Sequence, residues 1–425
     1  MTADTIYALS SGSPPAAIAL IRISGPRADA ALERLAGKLP PPRVATLAEL
    51  QADGEVLDRA LVLRFPGPAS ATGEDVAELH LHGGRAVVAR VMEVLATLEG
   101  LRPAQPGEFT RRAFENGRID LAEAEGLADL LQAETEAQRR SALAMAGGAL
   151  SRRIAGWQDR LLALAARLEA VLDFSDEGEV GDGPADGWQD DLERLLGEVR
   201  QALAAPPAER LRDGVRVVIA GPPNSGKSSL LNWLAGRQAA ITSAIAGTTR
   251  DLVEAPTGIG GTPFLLVDTA GLRDTQDEVE QIGVGRARAS IGAADLILWL
   301  GTPGDTPAPE KSLLVQSKID ISPPDLGAEI RVSAETGEGM GLLVDLLIAR
   351  ARALLPREGE AALNARHREA IAAAGACLSE AAKTEDLLLR AEALRQARIA
   401  LDRVTGRAGV DEMLDGLFGR FCLGK

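Results

Sequence analysis

The chain has 425 residues, 46 Lys and Arg against 61 Asp and Glu, a formal charge of −15 and two cysteines. At roughly 150 residues per domain the length predicts about three domains, and 46% hydrophobic with 25% charged residues excludes wholesale disorder. Two cysteines exclude a disulfide framework and fit a reducing, cytoplasmic setting, and the acidity makes the chain a poor generic nucleic-acid binder, because like charge repels phosphate. Contact with RNA then requires a local basic surface or a partner. The start, Met1-Thr2-Ala3-Asp4, lacks the basic segment of a signal peptide. No uncharged apolar run reaches the roughly 18 residues of a membrane span.

Residues 1–118 alternate short apolar runs (17–23, 60–65, 76–81) with Gly/Pro punctuation and one helical run at 86–98, an α+β pattern. From Leu121 the apolar residues recur at helical spacing (Leu121, Ala124, Leu127, Ala128, Leu131, then Ile154, Leu161, Leu164, Leu168, Leu172), so 119–210 reads as mostly helix. Residues 173–193 hold nine acidic residues and no basic one, which leaves −6 for the rest of the chain. The Gly-rich centre of that stretch predicts a solvated loop.

Residues 215–350 then alternate apolar strands (215–220, 264–267, 296–300, 313–315, 330–332) with helices, the rhythm of a doubly wound α/β domain. After Pro356 the chain returns to helix at 361–378 and 384–404. Helices on both sides of an α/β unit suggest an insertion. The expected organisation is multidomain, α+β and α/β: an N-terminal domain at 1–118, a split helical domain at 119–213 and 355–425, and an inserted nucleotide-binding domain at 214–354.

Gly221-Pro-Pro-Asn-Ser-Gly226-Lys227-Ser228 follows an apolar strand and precedes a helical run, the context of a phosphate-binding loop. Its glycines let backbone N–H groups turn inward on a phosphate, Lys227 neutralises β/γ oxygens, and the Ser228 hydroxyl suits Mg²⁺. Four further pieces specify GTP. Asp268-Thr269-Ala270-Gly271 ends a strand, with Asp268 able to reach Mg²⁺ through water and the Gly271 N–H able to sense a γ-phosphate. Thr248-Thr249-Arg250 lies in a loop that can close over the phosphates, Thr249 completing the Mg²⁺ shell. Ser317-Lys318-Ile319-Asp320 places a carboxylate where guanine offers two N–H donors, and Ser333-Ala334 suits a base-edge contact. Their order resembles translation-factor-type GTPases, with Ser317 where Asn is usual. Leu272 occupies the place of the water-orienting Gln of small GTPases, so hydrolysis needs another group. Arg273 and the carboxylates of 274–280 are candidates, and a plain solvated acidic loop is the alternative.

Nine motifs together resemble one family, the MnmE (TrmE) tRNA-modification GTPases, over essentially the whole chain: Asp4-Thr-Ile, Leu20-Ile-Arg-Ile-Ser-Gly25, Thr72-Gly-Glu-Asp-Val-Ala-Glu78, Pro106-Gly-Glu-Phe-Thr110, Arg118-Ile-Asp-Leu-Ala-Glu-Ala-Glu125, 221–230, Ala246-Gly-Thr-Thr-Arg-Asp251, 268–280 and Phe421-Cys-Leu-Gly-Lys425. The resemblance implies a K⁺ ion beside the phosphates, with Asn224, Ser243, Ile245 and Thr248 at the ligand positions, and Glu280 orienting the attacking water. The nucleotide-contacting set it implies is Asn224, Ser225, Gly226, Lys227, Ser228, Ser229, Ser243, Ala244, Ile245, Ala246, Gly247, Thr248, Thr249, Asp268, Thr269, Ala270, Gly271, Ser317, Lys318, Asp320, Ser333 and Ala334. It further implies a tetrahydrofolate-binding N-terminal domain that forms a homodimer, with Arg22, Glu78, Arg118 and Lys425 at the folate positions. The family's partner is the flavoprotein MnmG, which supplies FAD, and together the two modify carbon 5 of the wobble uridine of certain tRNAs.

Several residues keep two readings. Cys422 is a nucleophile if Lys425 or Arg420 lowers its pKa, or else a packing residue of an apolar tail. His80 and His82 share one side of a strand, as metal ligands or as ordinary polar residues. For the chain as a whole, an Era- or Der-like ribosome-assembly switch and a folate enzyme with a vestigial nucleotide domain stand as alternatives.

Overall fold

The computed structural model describes residues 4–174, 187–236, 254–268, 288–323, 325, 327–357, 361–408, 411–419, 421 and 424. The chain divides into two compact units, Met1–Ala128 with Thr405–Lys425, and Asp129–Val404. These differ from the three-part sequence division: the first helical segment after residue 120 and the C-terminal stretch group with the N-terminal sheet.

The first unit is built on a six-stranded sheet of β1 (Thr5–Leu9), β2 (Ile18–Ser24), β3 (Thr46–Ala52), β4 (Glu55–Phe65), β5 (Val76–His82) and β6 (Leu101–Pro103), in the order β3-β4-β5-β2-β1-β6. Only β1–β6 is parallel. Alternation decides its faces: Ala19, Ile21 and Ile23 point to a core covered by α1 (Ala28–Ala36) and α2 (Arg85–Thr97), through Leu32, Leu35, Val91 and Leu95. Leu20, Arg22, Glu78 and His80 therefore occupy the opposite face. At one end that face is closed by Ile6, Ala8, Ala104 and Phe109, the last from α3 (Glu108–Glu115). A satellite cluster of Leu121 and Ala124, from α4 (Leu121–Gln132), with Leu414, Phe418 and Phe421 attaches the C-terminal stretch.

The second unit contains α5 (Glu136–Ala146), the long helices α6 (Ala149–Phe174) and α7 (Trp188–Ala204) and the short α8 (Glu209–Asp213); α7 packs against α6 and against the later helix Ala365–Lys383, and Trp157, Leu164, Trp188, Leu195 and Leu378 are buried. The flanks of the acidic stretch are helical. Asp190, Asp191 and Glu193 lie on α7, and Asp191 pairs with Arg167 at 2.7 Å; residues 175–186 lie outside the described residues.

Its sheet comprises β7 (Val215–Ala220), β8 (Glu254–Ile259), β9 (Thr262–Asp268), β10 (Leu296–Trp299), β11 (Ser312–Gln316) and β12 (Ile330–Arg331), in the order β12-β11-β10-β7-β9-β8. All pairs are parallel except β8–β9. Near-continuous apolar strands such as Val215–Ala220, buried on both faces, are what a parallel sheet under helices requires. This is the doubly wound α/β unit expected at 215–350; β8, whose sequence includes Pro256 and Gly258, is the strand that periodicity does not reveal. Among the described residues no helix is long and apolar enough to cross a membrane.

Candidate functional site

The phosphate-loop residues run from the end of β7 into α9 (Lys227–Gly236). Two backbone positions make that turn possible. Gly221 has φ +151°, and a Cβ there would lie 3.0 Å from Leu300; Asn224 stands at φ +60°, a left-handed position that Asn tolerates better than most residues. The turn delivers α9 with its N-terminus at the strand ends, where its partial positive charge favours an anion. Lys227 is 8% exposed, and its ammonium donates to the carbonyls of Gly221 (3.1 Å) and Pro222 (2.7 Å), holding the cation over the loop. The Ser228 hydroxyl donates to Asp268 Oδ2 at 2.9 Å. A hydroxyl and a carboxylate oxygen thus converge from α9 and the end of β9, hard oxygen donors of the kind Mg²⁺ takes.

The residues expected to read the base are tied to the same loop. Ser317 Oγ donates to the Ser225 carbonyl, and Lys318, at φ +56°, donates its ammonium to the Asn224 carbonyl at 2.8 Å. A Cβ at Gly226 would come 3.3 Å from Ser317 Oγ, so the small residue lets the two loops approach. Ser333 is fully buried and its Oγ accepts the Thr336 N–H at 3.1 Å, which fixes the turn carrying Ala334. These groups line a half-open cavity of about 480 Å³, bounded by Gly226, Ser229, Ser317, Asp320, Ser333 and Trp233. Trp233 belongs to no motif; its only signal in the sequence is helical spacing from Gly226.

In the other unit, cross-strand register joins residues 56 positions apart: Arg22 pairs with Glu78. The guanidinium donates twice to Glu78 Oε1 (3.0 and 2.8 Å), while Glu78 Oε2 lies 3.5 Å from His80 Nε2. The Arg22 guanidinium also sits 5.8 Å from the Phe109 ring centre. Arg118 is held elsewhere, its Nε donating to the Ser70 carbonyl at 3.2 Å beside Gly73. That loop is held to the sheet by Arg112, 2% exposed, which bonds Glu74, Asp4 and Glu108, with Ser24 bonding Glu74 and Thr72. Burial raises the Glu108 pKa, but bonds from Arg102 and the Gln105 N–H, with the charge of Arg112, hold it below its ordinary value.

The C-terminal stretch reaches the same sheet. Ser10 Oγ donates to the Gly424 carbonyl at 2.7 Å, and Gly424, at φ +90°, passes so close that a Cβ would meet Ser10 Cα at 2.7 Å. Leu9, beside it, pairs with Ile21, one residue from Arg22. The His82 ring bonds Asp58 at 2.7 Å, and among the described residues no group of three or more His, Cys, Asp or Glu that could hold a metal ion occurs. Ser243, Ala244, Ile245, Ala246, Gly247, Thr248, Thr249, Thr269, Ala270, Gly271, Arg273, Glu280, Cys422 and Lys425 lie outside the described residues.

Two family descriptions match this chain: "MnmE helical domain" over residues 121–422 and "GTP-binding protein TrmE N-terminus" over residues 5–118. A Rhizorhabdus wittichii protein named tRNA modification GTPase MnmE is 59% identical over 430 residues, covering 99% of this chain and 97% of its own. One of the same name from Erythrobacter litoralis is 55% identical over 424 residues, covering 99% and 100%. Among solved structures, the G domain of the T. maritima FeoB iron transporter aligns at 25% identity and a TM-score of 0.23, over 32% of this chain and 98% of that one.

Proposed function

Because this chain belongs to the MnmE family of tRNA-modification GTPases, and is a GTP-hydrolysing enzyme of tRNA modification, we propose that its hydrolysis is K⁺-stimulated and drives a folate-dependent modification at carbon 5 of the wobble uridine. The observation that carries the nucleotide part is the convergence, at one end of the parallel sheet, of Lys227, the Ser228–Asp268 pair and the base loop bound to the phosphate loop.

The roles follow from chemistry. Lys227 leaves its two carbonyl partners for β/γ-phosphate oxygens and opposes their charge. Ser228 and Asp268, with Thr249, would hold Mg²⁺, which would supply positive charge against the phosphates. Asp320 accepts the two N–H donors of guanine. Asn224, with Ser243, Ile245 and Thr248, would hold K⁺, which would supply the positive charge an arginine finger supplies elsewhere. Glu280 orients water in place of Leu272, and Arg273 is the second candidate in that loop. The closing loop (Ala244, Ala246, Gly247) and the turn Thr269-Ala270-Gly271 surround the phosphates.

The modification site is the open face of the N-terminal sheet. Glu78, oriented by the Arg22 guanidinium bonded to it, offers acceptors to the pterin ring, and Arg118 and Lys425 offer cations to the carboxylate tail of a tetrahydrofolate derivative. Cys422 is a thiol candidate in the stretch that Gly424 seats beside β1. The same sheet exposes Ile18, Leu47 and Leu61 at 58, 54 and 46%, an apolar surface that supports a homodimer. The flavoprotein MnmG, with its FAD, completes the reaction on tRNA in the cytoplasm. The decisive experiment is nucleoside analysis of tRNA from a strain lacking the gene: wobble uridines should lose the aminomethyl-type group, and full modification sinks the reading. Hydrolysis equally fast in Na⁺ and K⁺ sinks the cation assignment alone.

A further inference from the structure

We propose that Trp233 is a positioning residue of the base-binding cavity, an aromatic wall that holds the Ser317–Asp320 and Ser333–Ala334 loops at the edges of the purine. The proposal rests on the reading that this cavity takes the base of GTP, and adds to it a residue that none of the nucleotide motifs contains.

Helix α9 presents one face to the cavity. Gly226, Ser229, Leu230 and Trp233 recur at the spacing that stacks side chains along one side of a helix, and all four line the same space as Ser317, Asp320, Ser333 and Ala334. Trp233 is partly buried and packs against the apolar core of its sheet, so the indole is held rather than swinging free. The polar side of the cavity explains why such a wall matters. The single hydrogen of Ser317 is donated to the Ser225 carbonyl, and the Lys318 ammonium bonds the Asn224 carbonyl. Both groups brace the phosphate loop, which leaves Asp320 as the charged acceptor for the base. Apolar and π contact then carries a larger share of base affinity, and a tryptophan supplies more of it than any other side chain.

Of the other tryptophans, Trp157 and Trp188 are each 1% exposed among the long helices, and Trp299, at the end of β10, donates its indole N–H to the Thr302 carbonyl. Because Trp299 pairs with Ala220 beside the phosphate loop, every protein in the titration carries Trp299→Phe, which leaves Trp233 as the reporter. The test titrates the full-length protein with GDP and Mg²⁺, as wild type at position 233, Trp233→Phe and Trp233→Ala, with ADP as control. GDP should change wild-type emission, the change should vanish in Trp233→Phe, and ADP should produce none. The Kd for GDP should rise about tenfold in Trp233→Ala and at most about threefold in Trp233→Phe, with the loss in hydrolysis carried by KM more than by kcat.

Binding within about twofold of wild type in Trp233→Ala, or an emission change retained in Trp233→Phe, overturns the proposal while leaving the GTP reading intact. If Trp233→Ala does not fold, the Phe variant's emission decides alone. A wild type that does not bind GDP overturns both.

Discussion

The two units carry six-stranded sheets that solve recognition in opposite ways. The parallel sheet builds its candidate site from loops at the strand ends, where main-chain carbonyls of 221–225 receive Lys227, Ser317 and Lys318. The largely antiparallel sheet builds its site on a face, from side chains that meet only by register, Arg22 opposite Glu78. A loop site concentrates its residues in one short stretch of sequence and aims a helix N-terminus at an anion. A face site disperses them and depends on neighbouring elements such as Phe109 and Arg112 to orient them. The first should fail through single residues of the loop, the second through loss of any brace.

The strongest test of that contrast is Lys227→Ala. Hydrolysis, read as phosphate release, should fall about 10²–10³-fold, because the cation opposing developing phosphate charge is gone; a fall of less than about threefold breaks the assignment. Next, Asp320→Asn should move nucleotide preference from guanine toward xanthine by about a hundredfold in competition binding, since the amide donates where the carboxylate accepted. Retained guanine preference would place base reading elsewhere.

On the other sheet, Arg22→Lys should weaken binding of a reduced folate about tenfold by calorimetry, because a point charge cannot reproduce the fork on Glu78, while GDP affinity holds. Gly424→Ala should cost the first unit about 1–2 kcal/mol in urea unfolding, since the added methyl has neither space nor a favourable φ; an unchanged midpoint would mean that the C-terminal contact is not maintained in solution.

The smallest effect concerns acid. The Arg160 hydrogen bond holds Glu198 down at about 2 against an ordinary 4.5. A carboxylate with a lowered folded-state pKa contributes stability that is present above about 4.5 and lost as pH falls toward 2. Glu198→Gln should flatten that part of the stability–pH profile, and an unaltered profile would show the pair to be solvated.

Much of the nucleotide end was legible because local rules govern it: Gly221, Gly226 and Lys227 sit in one turn between an apolar strand and a helix. The strands at 215–220 and 313–315 were readable from unbroken apolar runs, whereas β8 was hidden by Pro256 and Gly258. β1 and β3 were hidden by their short or weakly alternating pattern, and α3 by its Arg-rich sequence. Arg22 and Glu78 were nameable only through the family resemblance, since an Arg on one strand and a Glu on another carry no mark of being opposite. Arg112 gave no signal at all, because a buried arginine is defined by partners at Asp4, Glu74 and Glu108 that only folding assembles.

The composition, with its acidic excess at 173–193 and its apolar strands, determined by itself that the chain is folded, multidomain and equipped with a phosphate loop, because those properties depend on side-chain chemistry and short-range backbone geometry. The tertiary structure decided that Ser317 braces Ser225, that Trp233 lines the cavity beside Ser317 and Ser333, and that Gly424 lies beside the end of β1. Those depend on which distant segments share a surface, and a close approach such as Gly424 against Ser10 exists only once both strands of the chain are in place.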